Sequence, residues 1–129
     1  MRQKILIGIS RGMMYLHKHH IMHRDLKHEN IILDENFNPL ITDFGLSKYS
    51  ETGQSANQTQ YIGTSAYIAP EIINGNRYNS KADVYSFGII MYEIITDSIP
   101  YPLFQSGKMP LFQFNNKVVN EGYRPEFTV

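Results

Sequence analysis

Two short, largely apolar runs separated by turn-forming residues constrain the fold of this chain more than any other feature. The runs cover residues 31–33 and 40–42, and the segment between them is rich in Asp, Asn and Pro. This pattern predicts a β-hairpin. Asn30 directly precedes the first run and Asp43 directly follows the second, so a hairpin would hold these two polar side chains at a fixed separation.

The residues around this hairpin supply the groups that phosphate and magnesium chemistry needs. Asp25 and Asp43 are carboxylates, Lys27 is a cation and Asn30 carries an amide oxygen. Mg²⁺ prefers hard oxygen ligands, usually one or two carboxylates from the protein with the rest from phosphate and water. Asp43 and Asn30 are therefore candidate metal ligands, which leaves Asp25 as a candidate base.

The order and spacing of these residues resemble those of the eukaryotic protein kinases. Residues 23–30 read H-R-D-L-K-H-E-N, like the family's catalytic loop H-R-D-L-x-x-x-N, and residues 43–45 read D-F-G, like its magnesium-binding motif. Either motif alone occurs by chance, but the two in this order are much stronger evidence. The resemblance implies transfer of the ATP γ-phosphoryl group, with Asp25 as base, Lys27 beside the phosphoryl group, and Asn30 and Asp43 on Mg²⁺.

A polar stretch follows the second motif. Residues 46–69 are too polar to bury themselves and predict a mobile loop, with an ordinary surface loop as the alternative. The resemblance identifies residues 43–71 as the activation segment and implies that Arg24 pairs with a phosphate carried on it. The sequence does not choose among the candidate acceptors, which are Ser50, Thr52, Ser55, Thr59 and Tyr61.

Two further segments bear on the class of kinase. Residues 63–71 read G-T-S-A-Y-I-A-P-E and resemble the substrate-docking segment of serine/threonine kinases, in which Thr64 would hydrogen-bond Asp25 and Lys27. A simple turn hydroxyl is the alternative for Thr64. Lys27 agrees with the same class, and residues 122–125, G-Y-R-P, resemble a turn of its tyrosine-kinase-like branch. The implied partner is a protein substrate with a Ser or Thr acceptor.

Two helices are predicted from the spacing of apolar residues. The first carries a stripe formed by Ile5, Ile9, Met13 and Leu16. Gly8 and Gly12 lie one turn apart within it, at a cost of about 1 kcal/mol each against Ala, which predicts that another element packs closely there. The second helix runs through residues 84–95, and residues 80–83, S-K-A-D, predict a capping box with Ser80 as its N-cap.

The resemblance gives three residues structural roles. Residues 83–88 read D-V-Y-S-F-G, like the start of the family's long central helix, whose Asp anchors the catalytic-loop backbone. The resemblance implies that role for Asp83, although Tyr85 stands where the family usually has Trp. His23 would brace the catalytic loop from below. Glu71 would pair with an Arg from a later helix, which this sequence does not contain.

The remaining sequence is less informative. Pro100 and Pro102 predict the end of the second helix region, residues 104–114 predict a loop and packing surface, and residues 111–120 predict another short helix. A metal cluster is a weak alternative for four histidines, since no cysteine or regular ligand spacing accompanies them. These histidines are His17, His19, His20 and His23, and the middle two are expected to be solvated turn residues.

Composition excludes several classes of function. The chain has 129 residues, 42% of them hydrophobic, which suits one domain, and its 12 basic and 12 acidic residues give no field that favours nucleic acid. It contains no cysteine, no signal peptide is visible, and its longest apolar run is shorter than the roughly 20 residues that span a bilayer. We therefore expect no membrane segment and a cytoplasmic location, or the intracellular part of a longer membrane protein. The oligomeric state is not indicated.

The predicted fold is mainly α: a partial kinase C-lobe, residues 1–129, with a short β-hairpin that carries the catalytic and magnesium-binding loops. The sequence contains no glycine-rich nucleotide loop and no V-A-I-K lysine, so we expect the N-lobe to be absent. A chain of this kind is expected to be inactive alone and active as a serine/threonine kinase within a complete domain. The alternative function is a non-catalytic interaction or scaffold module.

Overall fold

The computed structural model describes residues 1–43 and 65–127 of the chain. These residues form five α-helices and two strands, with 3₁₀ turns at His28–Asn30 and Ser65–Tyr67. The helices are α1 (Arg2–Lys18), α2 (Pro70–Ile73), α3 (Ser80–Thr96), α4 (Pro102–Gln105) and α5 (Leu111–Asn120), and the strands are β1 (Ile31–Leu33) and β2 (Pro39–Ile41). The predicted mainly α class is confirmed. None of the described helices is long and apolar enough to cross a membrane.

The predicted β-hairpin is present. Strands β1 and β2 pair antiparallel, with Ile31 opposite Ile41, and β2 begins one residue earlier than expected, at Pro39. The Asp34 side chain closes the turn by accepting hydrogen bonds from the backbone N–H groups of Asn36 and Asn38, each at 2.8 Å. The prediction is therefore confirmed in position and in its turn chemistry.

Helix α1 packs against this hairpin through its two glycines. Its apolar stripe is buried as predicted, with Ile9, Met13 and Leu16 in the core. A Cβ atom on Gly12 would lie 2.7 Å from Cδ1 of Ile41, and one on Gly8 would overlap the ring of Pro39. The absence of a side chain thus lets β2 approach the helix, which confirms the predicted close packing.

Helix α3 begins with a different cap from the predicted one. Its N-cap is Asn79, whose side chain accepts from the backbone N–H of Lys81 at 2.9 Å, and Ser80 is the first helical residue. The predicted capping box is wrong because the Asp83 carboxylate, which would have to reach back to the cap, binds another segment. The helix ends at Thr96, before the prolines, with Asp97 in the left-handed region at φ 52°.

Aromatic side chains fill the core of the C-terminal part. The rings of Phe104 and Phe114 stack with centroids 4.0 Å apart, and Tyr101 meets Phe114 edge-on at 4.8 Å. Phe104 lies in α4, so the prediction of loop for residues 104–114 is wrong at its start, since Pro102 opens a short helix there. The packing role is confirmed, as is helix α5 at 111–120.

Candidate active site

One buried carboxylate holds the segment that leads into the candidate site. Asp83, on α3, accepts four hydrogen bonds: from the backbone N–H groups of His23 at 2.8 Å and Arg24 at 3.0 Å, from Nε2 of His17 at 2.9 Å, and from the Tyr78 hydroxyl. Such donors replace the water that a buried carboxylate loses. Helix α3, helix α1 and the segment before Asp25 therefore meet at one side chain.

The ring of His23 connects the same segment to the hairpin. Its Nδ1 accepts from the backbone N–H of Asp25 at 3.1 Å, so the hydrogen of the ring lies on Nε2, which donates to the carbonyl of Thr42 at 2.7 Å. His23 is completely buried. The ring thus fixes the backbone of Asp25 relative to the end of β2, one residue before Asp43.

Asp25 is buried with weaker partners. Its Oδ2 lies 3.8 Å from Nζ of Lys27 and 3.4 Å from Nδ2 of Asn30, and the same Asn30 nitrogen donates to the Asp25 carbonyl at 2.6 Å. Burial raises the pKa of the Asp25 carboxyl, and the nearby Lys27 charge and the Asn30 hydrogen bond oppose that rise. The structure therefore gathers a carboxylate of raised basicity, a cation and an amide at one place.

The hairpin brings the segments of Asn30 and Asp43 together. The backbone N–H of Thr42 donates to the Asn30 carbonyl at 2.8 Å, which extends the pairing of the strands to Asn30. Asp43 is exposed and has φ 64°, a left-handed conformation that Asp tolerates better than most residues. Because Nδ2 of Asn30 binds Asp25, its amide oxygen is the atom left for a cation. A carboxylate and an amide oxygen fit the ligand preference of Mg²⁺.

Two further predicted site residues occupy distinct positions. The Arg24 guanidinium lies over the Tyr78 ring, with its carbon 5.4 Å from the ring centroid. Glu71, on α2, is half-buried, and its carboxylate forms no ion pair within residues 1–43 and 65–127. Thr64, most of the D-F-G motif and the five candidate phosphate acceptors lie outside the described residues.

The histidines have other partners than a common metal. His17 and His23 bind Asp83 and backbone groups, while His19 and His20 are exposed. In the part of the chain that the structure describes, no three His, Cys, Asp or Glu side chains are placed to hold a metal ion.

The sequence pattern did not single out Tyr78 or His28. Tyr78 is half-buried and donates to Asp83 from a polar turn, and no sequence motif marked it. His28 occupies a variable position of the catalytic-loop motif, and its ring nitrogens face Glu93 and Glu29. The sequence did offer one signal for His28, which is an ionisable residue at a variable position of a recognised motif.

Comparison with known proteins identifies the family. A model of the protein kinase domain matches residues 1–121. A probable serine/threonine-protein kinase of Dictyostelium discoideum is 46% identical over 99 residues, which cover 75% of this chain and 10% of that protein. A second one from the same organism is 42% identical over 122 residues, which cover 95% of this chain and 9% of that protein.

A plant protein is similar to the same degree. A probable leucine-rich repeat receptor-like serine/threonine-protein kinase of Arabidopsis thaliana is 47% identical over 98 residues, which cover 74% of this chain and 10% of that protein. The chain thus spans about a tenth of the length of these curated relatives. With a family model that matches nearly all of it and relatives of this identity, the chain belongs to the protein kinase family.

Proposed function

We propose that these residues are the C-lobe part of a serine/threonine kinase domain that transfers the γ-phosphoryl group of ATP to a protein hydroxyl. The observation that carries the proposal is the grouping of Lys27 and Asn30 around the buried Asp25 carboxylate. The serine/threonine kinase names of the relatives support the same class. The proposal includes a catalytic loop at 23–30, an activation segment at 43–71 and a place in the tyrosine-kinase-like branch.

Each charged group has a defined task in this proposal. The Asp25 carboxylate orients the substrate hydroxyl and accepts its proton, for which a raised pKa is favourable. The Lys27 ammonium neutralises charge on the transferred group. The hydroxyl of Thr64 joins the docked substrate peptide to these two residues. Positioning and electrostatic stabilisation supply most of the catalysis in phosphoryl transfer.

Asn30 and Asp43 are the proposed metal ligands. A Mg²⁺ ion held by these two residues would neutralise charge that develops on the phosphates of ATP. Asn30 precedes β1 and Asp43 follows β2, so both lie at the open end of the hairpin. The pairing of the strands holds their backbones side by side. Phosphate and water would supply the remaining ligands.

The supporting residues complete the proposal. Asp83 and His23 hold the catalytic-loop backbone. Arg24 forms an ion pair with a phosphate carried on the activation segment, and Glu71 pairs with an Arg outside this chain. A receptor-like relative favours a place on the intracellular side of a membrane protein, whereas a cytoplasmic location is the simpler prediction. The partner is a protein with a Ser or Thr acceptor.

The test replaces Asp43 by Asn in a complete kinase domain that contains this chain. The change removes the charge of one metal ligand and should abolish Mg²⁺- and ATP-dependent transfer without unfolding the protein. Asp97→Asn is the matched control, because Asp97 is also exposed and also has positive φ, at 52°, but lies at the far end of α3. Transfer should be normal in the control.

The outcomes separate the proposed enzyme from a scaffold. Undiminished transfer by Asp43→Asn would contradict the metal-ligand assignment. Binding of peptide by the wild-type domain without any transfer would favour the interaction module instead. On a peptide array, the active domain should label Ser and Thr, and a preference for Tyr would reject the serine/threonine class.

A further inference from the structure

His28 joins three separate segments of the protein. It begins the 3₁₀ turn at His28–Asn30, and its Nδ1 lies 2.7 Å from the Tyr67 hydroxyl and 2.8 Å from Oε2 of Glu93. Its Nε2 lies 2.7 Å from Oε1 of Glu29 in the same turn. A residue of the proposed catalytic loop therefore reaches both the segment at 65–67 and helix α3.

The surface that His28 meets is firmly held. The Tyr67 hydroxyl donates to Oε1 of Glu93 at 2.7 Å, and the Ser86 hydroxyl donates to the Tyr67 carbonyl at 2.7 Å. Both ends of Tyr67 are thus fastened to α3, and its side chain is buried. Burial raises the pKa of Glu93, and the hydrogen bonds from Tyr67 and His28 oppose that rise. The contact with His28 therefore helps to offset the cost of burying the Glu93 carboxylate.

The donor in this contact is the imidazole. The single hydroxyl hydrogen of Tyr67 is directed to Glu93, and a carboxylate has none to give. The hydrogen between the turn and the Tyr67–Glu93 pair must then come from Nδ1 of His28. A side chain without a donor at this place would leave the pair unconnected to the catalytic loop.

The turn transmits the position of His28 to Asn30. The backbone N–H of Asn30 donates to the Lys27 carbonyl at 3.0 Å, and the N–H of Ile31 donates to the carbonyl of His28 itself. The Asn30 side chain in turn holds the Asp25 carbonyl. A displacement of His28 therefore displaces the proposed metal ligand and the backbone of the proposed base together.

We propose that His28 is a positioning residue that couples the 65–67 segment to the metal ligand Asn30. This inference rests on the proposed kinase function and deepens it. The segment at 65–67 lies in the proposed activation segment, so its correct placement would be required before Asn30 is correctly placed. His28 acts through Asn30 and does not itself touch the reacting atoms.

The test compares two substitutions of His28 in a complete kinase domain that contains this chain. His28→Ala removes the donor and should lower kcat by about 2- to 30-fold and raise the Mg²⁺ concentration for half-maximal rate. His28→Asn carries an amide nitrogen near the position of Nδ1 and should restore most of both. If His28 merely filled space, His28→Ala would leave the magnesium dependence unchanged, and His28→Asn would restore no more activity than His28→Ala retains.

Two further variants locate the effect. Tyr67→Phe should lower kcat in the same way, and its combination with His28→Ala should lower kcat by less than the product of the separate effects, because both changes remove the contact between Nδ1 of His28 and the Tyr67 hydroxyl. Glu121→Gln removes an exposed carboxylate beside Lys117, outside the proposed catalytic loop, and as the control should leave the magnesium dependence unchanged. A melting temperature for each variant shows that the fold is retained.

The outcomes distinguish the positioning role of His28 from the proposed kinase function on which it rests. An active wild-type domain in which His28→Ala keeps its magnesium dependence, or in which His28→Asn is no better than His28→Ala, would overturn the positioning role alone. Independent effects of His28→Ala and Tyr67→Phe would overturn it too. A wild-type domain that transfers no phosphate would overturn the proposed function and this inference with it.

Discussion

The two buried aspartates Asp25 and Asp83 differ in how fully the protein satisfies them. Asp83 has 0% exposure and accepts four hydrogen bonds, at distances of 3.0 Å or less. Asp25 has 8% exposure, but among residues 1–43 and 65–127 the partners of its carboxylate are an amide at 3.4 Å and an ammonium at 3.8 Å. Within these residues, the carboxylate that positions the loop is thus more fully satisfied than the proposed reactive one.

This difference has opposite consequences for stability. Because the pKa of Asp25 is raised by folding, the folded state holds the proton more tightly than the unfolded chain does. The stabilisation exists below the ordinary pKa and is lost as pH rises through the raised one, so the group disfavours the fold once it is ionised. For Asp83, the hydrogen bonds from the four surrounding donors stabilise the fold.

The largest expected effect is on catalysis, from Asp25→Asn. Loss of the proposed base should lower phosphate transfer in a complete kinase domain by about 100- to 10,000-fold. Since the substitution also removes a charge that burial disfavours, the free energy of unfolding at pH 7 should be unchanged or higher. Transfer assays and urea unfolding measure the two quantities. A clear loss of stability would mean that Asp25 is satisfied like Asp83, and the comparison would fail.

Asp83→Ala should have the largest effect on stability. The change leaves the N–H groups of His23 and Arg24 and the Tyr78 hydroxyl without their acceptor. We expect a loss of about 3–5 kcal/mol in the free energy of unfolding, measured by urea titration of the chain. Asp97→Asn, at the exposed end of the same helix, serves as the control and should unfold at the wild-type urea concentration. A cost no greater than that of the control would show that the four contacts carry no stability.

Local features of this fold were predictable, and long-range contacts were not. The hairpin and the need for close packing at the two glycines of α1 followed from turn residues and spacing, because those signals lie within a few residues of one another, but the spacing did not identify β2 as the packing partner. The link from Asp83 to His23 spans 60 positions, and that from His28 to Glu93 spans 65, so no periodicity predicts them. The role of Asp83 came from the family resemblance, and His28 was missed.

The cap of α3 shows the same limit at short range. The sequence offers Asn79 and Ser80 as adjacent capping residues, and the pattern of Ser80 with Asp83 favours the wrong one. The choice depends on where the Asp83 side chain goes. A contact with a distant segment therefore decides a local structure, which is why sequence reasoning failed there.

Tyr78→Phe tests one of the four donors separately. The substitution removes the hydroxyl that binds Asp83 and keeps the ring that lies under Arg24. Because a hydrogen bond to a charged group contributes about 1.5–3 kcal/mol, we expect a loss of that size in the free energy of unfolding. Tyr15→Phe is the matched control, since Tyr15 is 63% exposed. Equal unfolding midpoints for the two variants would remove Tyr78 from the set that distinguishes Asp83 from Asp25.

The smallest expected effect concerns the cap that holds the helix of Asp83 in place. Asn79→Ala removes the acceptor for the N–H of Lys81 and should cost about 1 kcal/mol, whereas Asn79→Asp should retain most of the stability. Ser80→Ala should cost nothing, because Ser80 is already within the helix and Ala favours helix more than Ser does. Urea unfolding of the three variants decides between the two caps. A larger loss for Ser80→Ala than for Asn79→Ala would restore the capping box and would require Asp83 to divide its carboxylate between the cap and the catalytic loop.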